Sequence, residues 1–157
     1  CEQMIAQTGS QPDNLIACCG GGGLAAGISL VTPGTNMTIV EPEGWDDMKR
    51  SLEGGAIVPV QDNPPATECD ALQTQIVSPL TFDILNARQA RGVAVSQTEV
   101  HHAMRVAFEQ LRLVVEPGGA VALAAILAGK AEATDRTVIT ISGGNVDAQR
   151  FAEIIAG

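Results

Sequence analysis

The chain has 157 residues, 45% of them hydrophobic, which is enough to bury a core as one compact domain. Its 9 basic and 18 acidic residues give a net charge of −9, and it contains three Phe, one Trp and no Tyr. This balance argues against binding to nucleic acid or to an anionic membrane, both of which attract basic proteins. The longest apolar run, 120–128, is too short to span a membrane and no signal peptide is recognisable, so we expect a soluble, cytoplasmic protein.

The hydrophobic pattern predicts short strands and helices that alternate along the chain. The strands are expected at 15–19, 37–40, 93–95 and 137–141, and the helices at 1–6, 24–30, 45–52, 82–89, 96–115, 121–128 and 148–155. Residues 56–80 contain four prolines and little periodicity, which indicates a long loop. The alternation predicts an α/β fold with a mostly parallel, twisted sheet covered by helices.

The four cysteines, Cys1, Cys18, Cys19 and Cys69, have no spacing suited to a zinc site. Cys18 and Cys19 are neighbours in a predicted strand, so their side chains should point to opposite faces and remain buried free thiols. Since the chain begins with Cys1 and its first eight residues resemble the end of a helix, we expect it to be a fragment.

Four consecutive glycines, Gly20, Gly21, Gly22 and Gly23, follow the first predicted strand and lead into a helix that starts at Leu24. Backbone amides in such a turn can approach phosphate oxygens because no side chain is in the way, and a helix N-terminus adds unpaired amides and a positive dipole end. The pattern favours a site for a phosphorylated small molecule. A flexible loop or a tight strand-to-helix connection would explain the glycines alone.

A second glycine turn, Ser142-Gly143-Gly144-Asn145, follows the last predicted strand. The turns at the carboxyl ends of parallel strands lie at one edge of the sheet, where ligands bind in α/β proteins. We therefore expect the two glycine turns to contribute to one site.

Four motifs occur in order along the chain: GGGGLAAG from residue 20, VEPEG with DDM from residue 40, VVEPGGAVALAA from residue 114 and ISGGNVD from residue 141. Together they resemble the carboxyl-terminal half of the pyridoxal-phosphate-dependent threonine and serine dehydratases. That family has the tryptophan-synthase-β-like fold (fold type II) and includes serine racemase. The resemblance covers about 5–151 and implies that 1–157 is the carboxyl-terminal half of a cofactor-binding catalytic domain, whose amino-terminal half, with the Schiff-base lysine, is absent.

The resemblance implies roles for several residues. The backbone amides of Gly20–Gly23 and Leu24 would hold the phosphate of pyridoxal phosphate without help from a basic side chain. Ser142 would hydrogen-bond the pyridine nitrogen, and a hydroxyl there makes a weaker electron sink than a carboxylate, which suits β-elimination; the alternative role is a helix N-cap. Glu116 would lie near the cofactor ring, or stabilise the next helix. Asn145 matches a nucleotide-effector position in some relatives, although turn chemistry explains it equally well.

The segment from Glu41 to Asp47 is similar to a divalent-cation site of some family members. The implied ligands are the carboxylates of Glu41 and Asp47 and the main-chain carbonyl of Trp45. Hard oxygen donors of this kind suit Mg²⁺ or Ca²⁺. The alternative is a set of acidic residues that stabilises the first turn of a helix.

The chain departs from the family pattern at two places. Ala71 follows Asp70 where many relatives have a glycine, and the only lysines, Lys49 and Lys130, lie in polar contexts expected to be solvated surface rather than an activating pocket. The chain alone is therefore expected to lack the Schiff-base lysine and to be inactive.

His101 and His102 follow the predicted capping box of Ser96 and Glu99. Adjacent helical residues point about 100° apart, so the two rings cannot act together on one substrate. We expect both histidines to be exposed.

The resemblance implies a lyase that deaminates a β-hydroxy amino acid, threonine or serine, to a 2-oxo acid and ammonia, and that forms a homodimer. Racemisation of serine and dehydration of hydroxyaspartate remain open within the family. A non-catalytic phosphate- or nucleotide-binding module is an alternative, although the glycine run is not G-x-G-x-x-G. A purely structural fragment is a third hypothesis.

Overall fold

A computed structural model describes residues 2–157, so the expectation that Cys1 is a free thiol lies outside the described residues. The strands are β1 (Asn14–Cys18), β2 (Asn36–Pro42), β3 (Arg91–Val95) and β4 (Thr137–Ile139). The helices are α1 (Glu2–Thr8), α2 (Gly23–Val31), α3 (Asp47–Gly54), α4 (Pro79–Ala87), α5 (Gln97–Val106), α6 (Pro117–Leu127) and α7 (Ala148–Ala156). A 3-10 turn at Asp70–Leu72 interrupts the long loop, and a π turn at Ala107–Leu111 extends α5.

The four strands form one parallel sheet in the order β3-β2-β1-β4. In the centre of the sheet Ile16 lies opposite Thr38 of β2 and Ile139 of β4. The strand-to-helix turns that follow β1, β2 and β4 therefore lie at the same edge of the sheet. The predicted α/β fold is confirmed.

Side chains from alternate strand positions pack into two hydrophobic clusters on opposite faces of the sheet. One cluster contains Cys18 and is covered by α5, α6 and α7, whereas the other contains Cys19 and is covered by α2, α3 and α4. Both thiols are buried and free, as predicted. The sheet thus directs Cys18 and Cys19 into different environments, although they are adjacent in sequence.

Several predicted boundaries are wrong: α6 begins at Pro117 and not at Val121, and α4 begins at Pro79 and not at Phe82. Two others concern the ends of α5 and β4. The helix expected to reach Val115 ends in the π turn, because Arg112 adopts a left-handed conformation (φ 60°) that stops the helix. Strand β4 ends at Ile139, two residues before the predicted end, and the chain from Thr140 to Asp147 is irregular. Residues 112–116 and 140–147 then run next to each other, since the Glu116 amide donates to the carbonyl of Gly143.

Candidate functional site

The turns after β1 and β4 and the start of α6 enclose a cavity of about 270 Å³ at the carboxyl edge of the sheet. The 3-10 turn closes it on another side through Ala71 and Leu72. Its lining contains Cys18, Cys19, the four glycines, Leu24, Glu116, Gly118 and Ser142. The structure therefore brings together the predicted phosphate loop, Ser142 and Glu116.

The tetraglycine turn presents backbone amides that are not used elsewhere. Within the part of the chain that the structure describes, no hydrogen bond involves the amides of Gly20, Gly21, Gly23 or Leu24. Gly22 has φ 84° and stands at the N-cap position of α2 without a side-chain cap, and its carbonyl accepts the first helical bond from Ala26 at 2.8 Å. Unpaired amides at a helix N-terminus form a site for an anion. The turn fits a phosphate group.

The packing around the turn explains why a glycine is needed at Gly22. A Cβ there would lie 2.7 Å from Met48 Cε and 3.0 Å from Thr81 Cβ, and the positive φ is itself unfavourable for any other residue. Thr81 also fixes the turn from outside, because its Oγ1 lies 2.7 Å from the carbonyl oxygen of Gly21. The turn is thus held in place by α4, a helix sixty residues further along the chain.

Ser142 lies just beyond β4, with its side chain toward the face of the sheet that Cys18 occupies. Its Oγ is 3.5 Å from the Sγ of Cys18, and its carbonyl oxygen lies where a Cβ on Gly119 would be, so only glycine fits at Gly119. The alternative role for Ser142 is excluded, since Asp147 is the N-cap of α7 and accepts from the Arg150 amide at 2.8 Å. The Ser142 hydroxyl is therefore not required for helix capping.

Glu116 stands at the N-cap position of α6 but makes no side-chain capping bond there. Its Oε2 instead accepts from the backbone amide of Asn145 at 3.0 Å, and a Cβ on Gly143 would overlap its carboxylate. Glu116 thus ties the SGGN turn to α6 while also lining the cavity. The Asn145 side chain is exposed, and its backbone has a structural role in this turn.

The predicted cation ligands lie at the end of β2, on the same edge of the sheet. Glu41 is fully buried and its two carboxylate oxygens accept from the amides of Met48 (3.1 Å) and Lys49 (2.7 Å) at the start of α3. Burial nevertheless raises the pKa of Glu41 to about 8. Trp45 is buried, and its indole Nε1 donates to the carbonyl of Pro65. The predicted cation ligand from Trp45 is its main-chain carbonyl oxygen.

Asp47 supplies the observation that fits a cation. It is 1% exposed, and its Oδ2 has no hydrogen-bond partner in the described part of the chain. Burial raises its pKa to about 6. A buried carboxylate oxygen without a partner is costly unless a cation or a proton compensates it. Among the described residues no group of three or more His, Cys, Asp and Glu side chains forms a ligand set, so a site here would need the main-chain carbonyl.

Neither lysine lies in the cavity, as expected, but both are half-buried rather than solvated. Lys130 Nζ pairs with Glu99 at 2.7 Å and Glu43 at 3.3 Å, and Lys49 pairs with Glu53 at 3.3 Å. Both line a larger groove, about 590 Å³, that runs along the outer edge of β3 away from the glycine turns. Both ammonium groups are engaged in ion pairs outside the cavity, so neither is an amine activated for covalent chemistry.

The histidines differ from each other. His102 is exposed, as predicted. His101 is half-buried, with its Nε2 at 3.3 Å from Glu68 Oε1 and at 2.9 Å from Gln97 Nε2, so the expectation of exposure is wrong for this residue. Neither ring lines the cavity between the glycine turns.

Three contributions to the cavity were not predicted. The Cys18 thiol, the 3-10 turn with Ala71 and Leu72, and the Thr81 clamp all reach the site through the tertiary fold. Strand alternation places the side chain of Cys18 on one face of the sheet, so this contribution could have been predicted from the sequence. No local pattern marks Thr81, because its contact with Gly21 spans sixty residues.

The chain matches the model of a family described as pyridoxal-phosphate dependent enzymes over residues 1–143. It is 35% identical to the L-threo-3-hydroxyaspartate ammonia-lyase of Saccharomyces cerevisiae, over 99% of this chain and 48% of that protein. It is 34% identical to a serine racemase of Schizosaccharomyces pombe (92% and 46%) and to the catabolic L-threonine dehydratase of Escherichia coli K12 (90% and 45%). The chain thus spans about half the length of these relatives.

Solved structures of similar proteins superpose on this chain. The T.th. threonine deaminase superposes with a TM-score of 0.83 at 37% identity, covering 93% of this chain and 54% of that one. Maize serine racemase superposes with a TM-score of 0.85 at 28% identity, covering 99% and 49%. No helix among the described residues is long and apolar enough to cross a membrane. The glycine turns, the parallel sheet and these similarities together show that the chain belongs to the pyridoxal-phosphate-dependent enzyme family of fold type II.

Proposed function

We propose that this chain is the carboxyl-terminal half of a pyridoxal-phosphate-dependent lyase that removes water and then ammonia from a β-hydroxy amino acid, threonine or serine. The observation that carries the proposal is the cavity in which unused amides of the tetraglycine turn and the Ser142 hydroxyl face the same space. Pyridoxal phosphate supplies an electron sink for the α-carbon of a bound amino acid. The chain's own residues bind and orient that group.

The amides of Gly20, Gly21, Gly23 and Leu24, with the N-terminus of α2, would hold the phosphate without a counter-charge from a basic side chain, whereas the Gly22 amide is directed at the Cys19 thiol. The Ser142 hydroxyl would donate to the ring nitrogen and keep it from full protonation. Glu116 would fix the SGGN turn so that Ser142 keeps its position. A lysine that binds the cofactor covalently would come from sequence outside this chain, because Lys49 and Lys130 are committed to surface ion pairs.

The test uses the complete gene product, purified with and without pyridoxal phosphate. We expect a yellow protein that borohydride fixes as a covalent adduct, and formation of a 2-oxo acid and ammonia from L-threonine or L-serine. Ser142→Ala should shift the visible spectrum and lower kcat. A colourless protein that binds the cofactor no better than inorganic phosphate would contradict the proposal and favour a phosphate- or nucleotide-binding module.

The substrate follows from the same assay. The relatives include a hydroxyaspartate ammonia-lyase at 35% identity and a serine racemase at 34%, so L-threo-3-hydroxyaspartate and the conversion of L-serine to D-serine are measured in parallel. Faster deamination of hydroxyaspartate than of threonine, or D-serine as the main product, would replace the proposed substrate while leaving the cofactor site intact.

We also propose that Glu41, Asp47 and the Trp45 carbonyl bind Mg²⁺ or Ca²⁺. The unpartnered Oδ2 of Asp47 supports the site. Since burial raises the pKa values of Glu41 and Asp47 to about 8 and about 6, a cation that binds near pH 7 should displace protons. Calorimetry in two buffers of different ionisation enthalpy measures that release. Asp47→Asn should abolish binding of the cation. Glu43 is an exposed carboxylate nearby, and Glu43→Gln is the matched control.

We propose that the gene product is a cytoplasmic homodimer. Large apolar side chains remain exposed on α2 and at the start of α4, where Leu30 is 61% and Leu80 is 69% exposed. Exposed groups of this size favour an interface. Light scattering on the purified gene product measures the oligomeric state, and a monomer at micromolar concentration would contradict the dimer.

A further inference from the structure

Cys18 is the last residue of β1, and its side chain lies on the cavity side of the sheet next to Ser142. Its Sγ is 3.5 Å from the Ser142 Oγ, within hydrogen-bonding distance for sulfur, and either atom can be the donor. Cys18 is 7% exposed, so the thiol is packed but reaches the cavity. Among the described residues, Cys18 is the one side chain that hydrogen-bonds the Ser142 hydroxyl.

The backbone makes this contact a fixed part of the sheet. The Cys18 amide donates to Thr140 Oγ1 at 3.4 Å, and the Thr140 amide donates to the carbonyl of Ile16 at 2.9 Å. The pairing of β1 with the chain after β4 therefore continues beyond Ile139, up to the residues that carry the thiol and the hydroxyl. The two groups are held side by side by strands, which position side chains more firmly than a mobile loop does.

The hydrogen-bonding capacity of a hydroxyl decides the direction of the contact. A serine hydroxyl donates one hydrogen and accepts through its lone pairs. If that hydrogen is given to a ring nitrogen in the cavity, the oxygen can only accept from its protein neighbour. The thiol of Cys18 can donate S–H to it, and this bond would turn the Ser142 hydrogen toward the cavity.

We propose that Cys18 is a positioning residue for Ser142, and this inference rests on the proposed function. The thiol donates to Ser142 Oγ and orients the hydroxyl for the cofactor ring. Cys19 does not share this role. Its thiol lies on the opposite face of the sheet and donates to the carbonyl of Gly20 at 3.3 Å.

A double-mutant cycle on the complete gene product tests the proposal with Cys18→Ala, Cys18→Ser, Ser142→Ala and Cys18→Ala combined with Ser142→Ala. The measured quantities are the Kd for pyridoxal phosphate and the absorbance maximum of the bound cofactor. We expect Cys18→Ala to weaken binding by about 2- to 10-fold, the effect of one lost hydrogen bond, and to shift the absorbance. Cys18→Ser keeps a donor and should behave like the parent protein.

In the Ser142→Ala background, Cys18→Ala should change neither quantity, because the thiol then has no hydroxyl to orient. Equal effects of Cys18→Ala in both backgrounds, or equal effects of Cys18→Ala and Cys18→Ser, would show that the thiol only fills space and would overturn the proposal. If Ser142→Ala acts and Cys18→Ala does not, the inference fails alone. If Ser142→Ala has no effect, the role of Ser142 in the proposed function fails with it.

Alkylation provides a second measurement that needs no substitution. Iodoacetamide should label Cys18 faster than Cys19 or Cys69, because both of these are more deeply buried and burial raises the pKa of each thiol, that of Cys69 to about 11. Pyridoxal phosphate should protect Cys18 and inorganic phosphate should not, since phosphate fills only the amide end of the cavity. Equal protection by the two, read by peptide mass spectrometry, would place the thiol at the phosphate end and overturn the proposal.

Discussion

Strands β1 and β2 are neighbours in the sheet, and each leads into a helix at the same edge, yet the two helix N-termini differ in charge. At the start of α3, the amides of Met48 and Lys49 are occupied by the carboxylate of Glu41, which belongs to the chain itself. At the start of α2, the amides of Gly23 and Leu24 have no partner among the described residues.

The difference shows how one fold produces two kinds of site. A helix N-terminus attracts an anion in either case. At α3 the sequence supplies a glutamate, so the anion is internal and both of its oxygens are already bonded to the helix amides. Where it supplies glycines alone, the anion must come from outside. The proposed phosphate site and the proposed cation site thus reflect two ways of satisfying a helix N-terminus.

Substitution of Gly22 by Ala should disrupt the turn before α2 and reduce the affinity for pyridoxal phosphate most. The added Cβ would contact Met48 and Thr81, and Ala is unfavourable at φ 84° by about 1–3 kcal/mol. We expect a lower melting temperature and a more than tenfold loss of affinity for pyridoxal phosphate, about 1.4 kcal/mol, because the amides move.

Gly27→Ala is the matched control for this substitution, since it lies in the same helix with no atom within 4 Å of the added Cβ. It should stabilise the protein by about 0.5–1 kcal/mol and leave cofactor affinity unchanged. Thermal denaturation and fluorescence titration measure the two quantities. Equal losses in the two variants would mean that helix α2, and not the conformation of the turn, determines binding.

The two proposed sites also differ in how far they can be predicted. The tetraglycine turn is predicted from the sequence because the geometry it needs is local: glycines for close backbone approach, at the end of an apolar strand. The role of Ser142 is expected only from the resemblance. The cation ligands were placed by resemblance, and the burial that raises the pKa of Glu41 could not be predicted, since it depends on how α3 packs against β2.

Contacts between distant segments were not predictable from local patterns. Cys18 and Ser142 are 124 positions apart, and Thr81 and Gly21 are 60 apart. The end of α5 was misplaced for a different reason. Leu113 and Val114 continue the apolar pattern of the helix, yet they are exposed, and the left-handed conformation of Arg112 ends the helix before them. Periodicity cannot distinguish an apolar residue that enters the core from one that stays on the surface.

At the start of α3 the expected effect is on the pH dependence of stability and not on cofactor affinity. The pKa of Glu41 is about 8 in the fold against an ordinary value of 4.5, so the folded protein holds a proton that the unfolded chain releases. This contribution is complete below pH 4.5 and is lost as the pH rises to about 8. In EDTA, the free energy of unfolding of the parent protein should fall relative to that of Glu41→Gln by up to about 1.4 kcal/mol per pH unit in this range.

Urea denaturation at several pH values between about 5 and 8 measures this difference. Glu43→Gln removes an exposed carboxylate from the same segment and controls for net charge. Asp47 titrates in both proteins, but its charge also raises the pKa of Glu41, so its contribution is reduced in the comparison and does not cancel. Parallel pH curves for the parent and Glu41→Gln would show that Glu41 is ionised in the fold, and that its two amide bonds outweigh its burial.

Substitution of Thr81 should reduce the affinity for pyridoxal phosphate least, because Thr81 contacts the turn before α2 only from outside the cavity. Thr81→Val keeps the shape of the side chain but removes the hydroxyl that bonds the Gly21 carbonyl, which should reduce pyridoxal phosphate affinity about fivefold, the effect of a hydrogen bond of roughly 1 kcal/mol. Thr81→Ser keeps the hydroxyl and should retain full affinity. The pH curve of the Thr81→Val protein should match that of the parent, since the α3 turn is fixed by its own glutamate and has no need of α4. A change in that curve would mean that the two turns are coupled through Met48. The Met48 Cε lies 2.7 Å from where a Cβ on Gly22 would be, and the Met48 amide donates to Glu41.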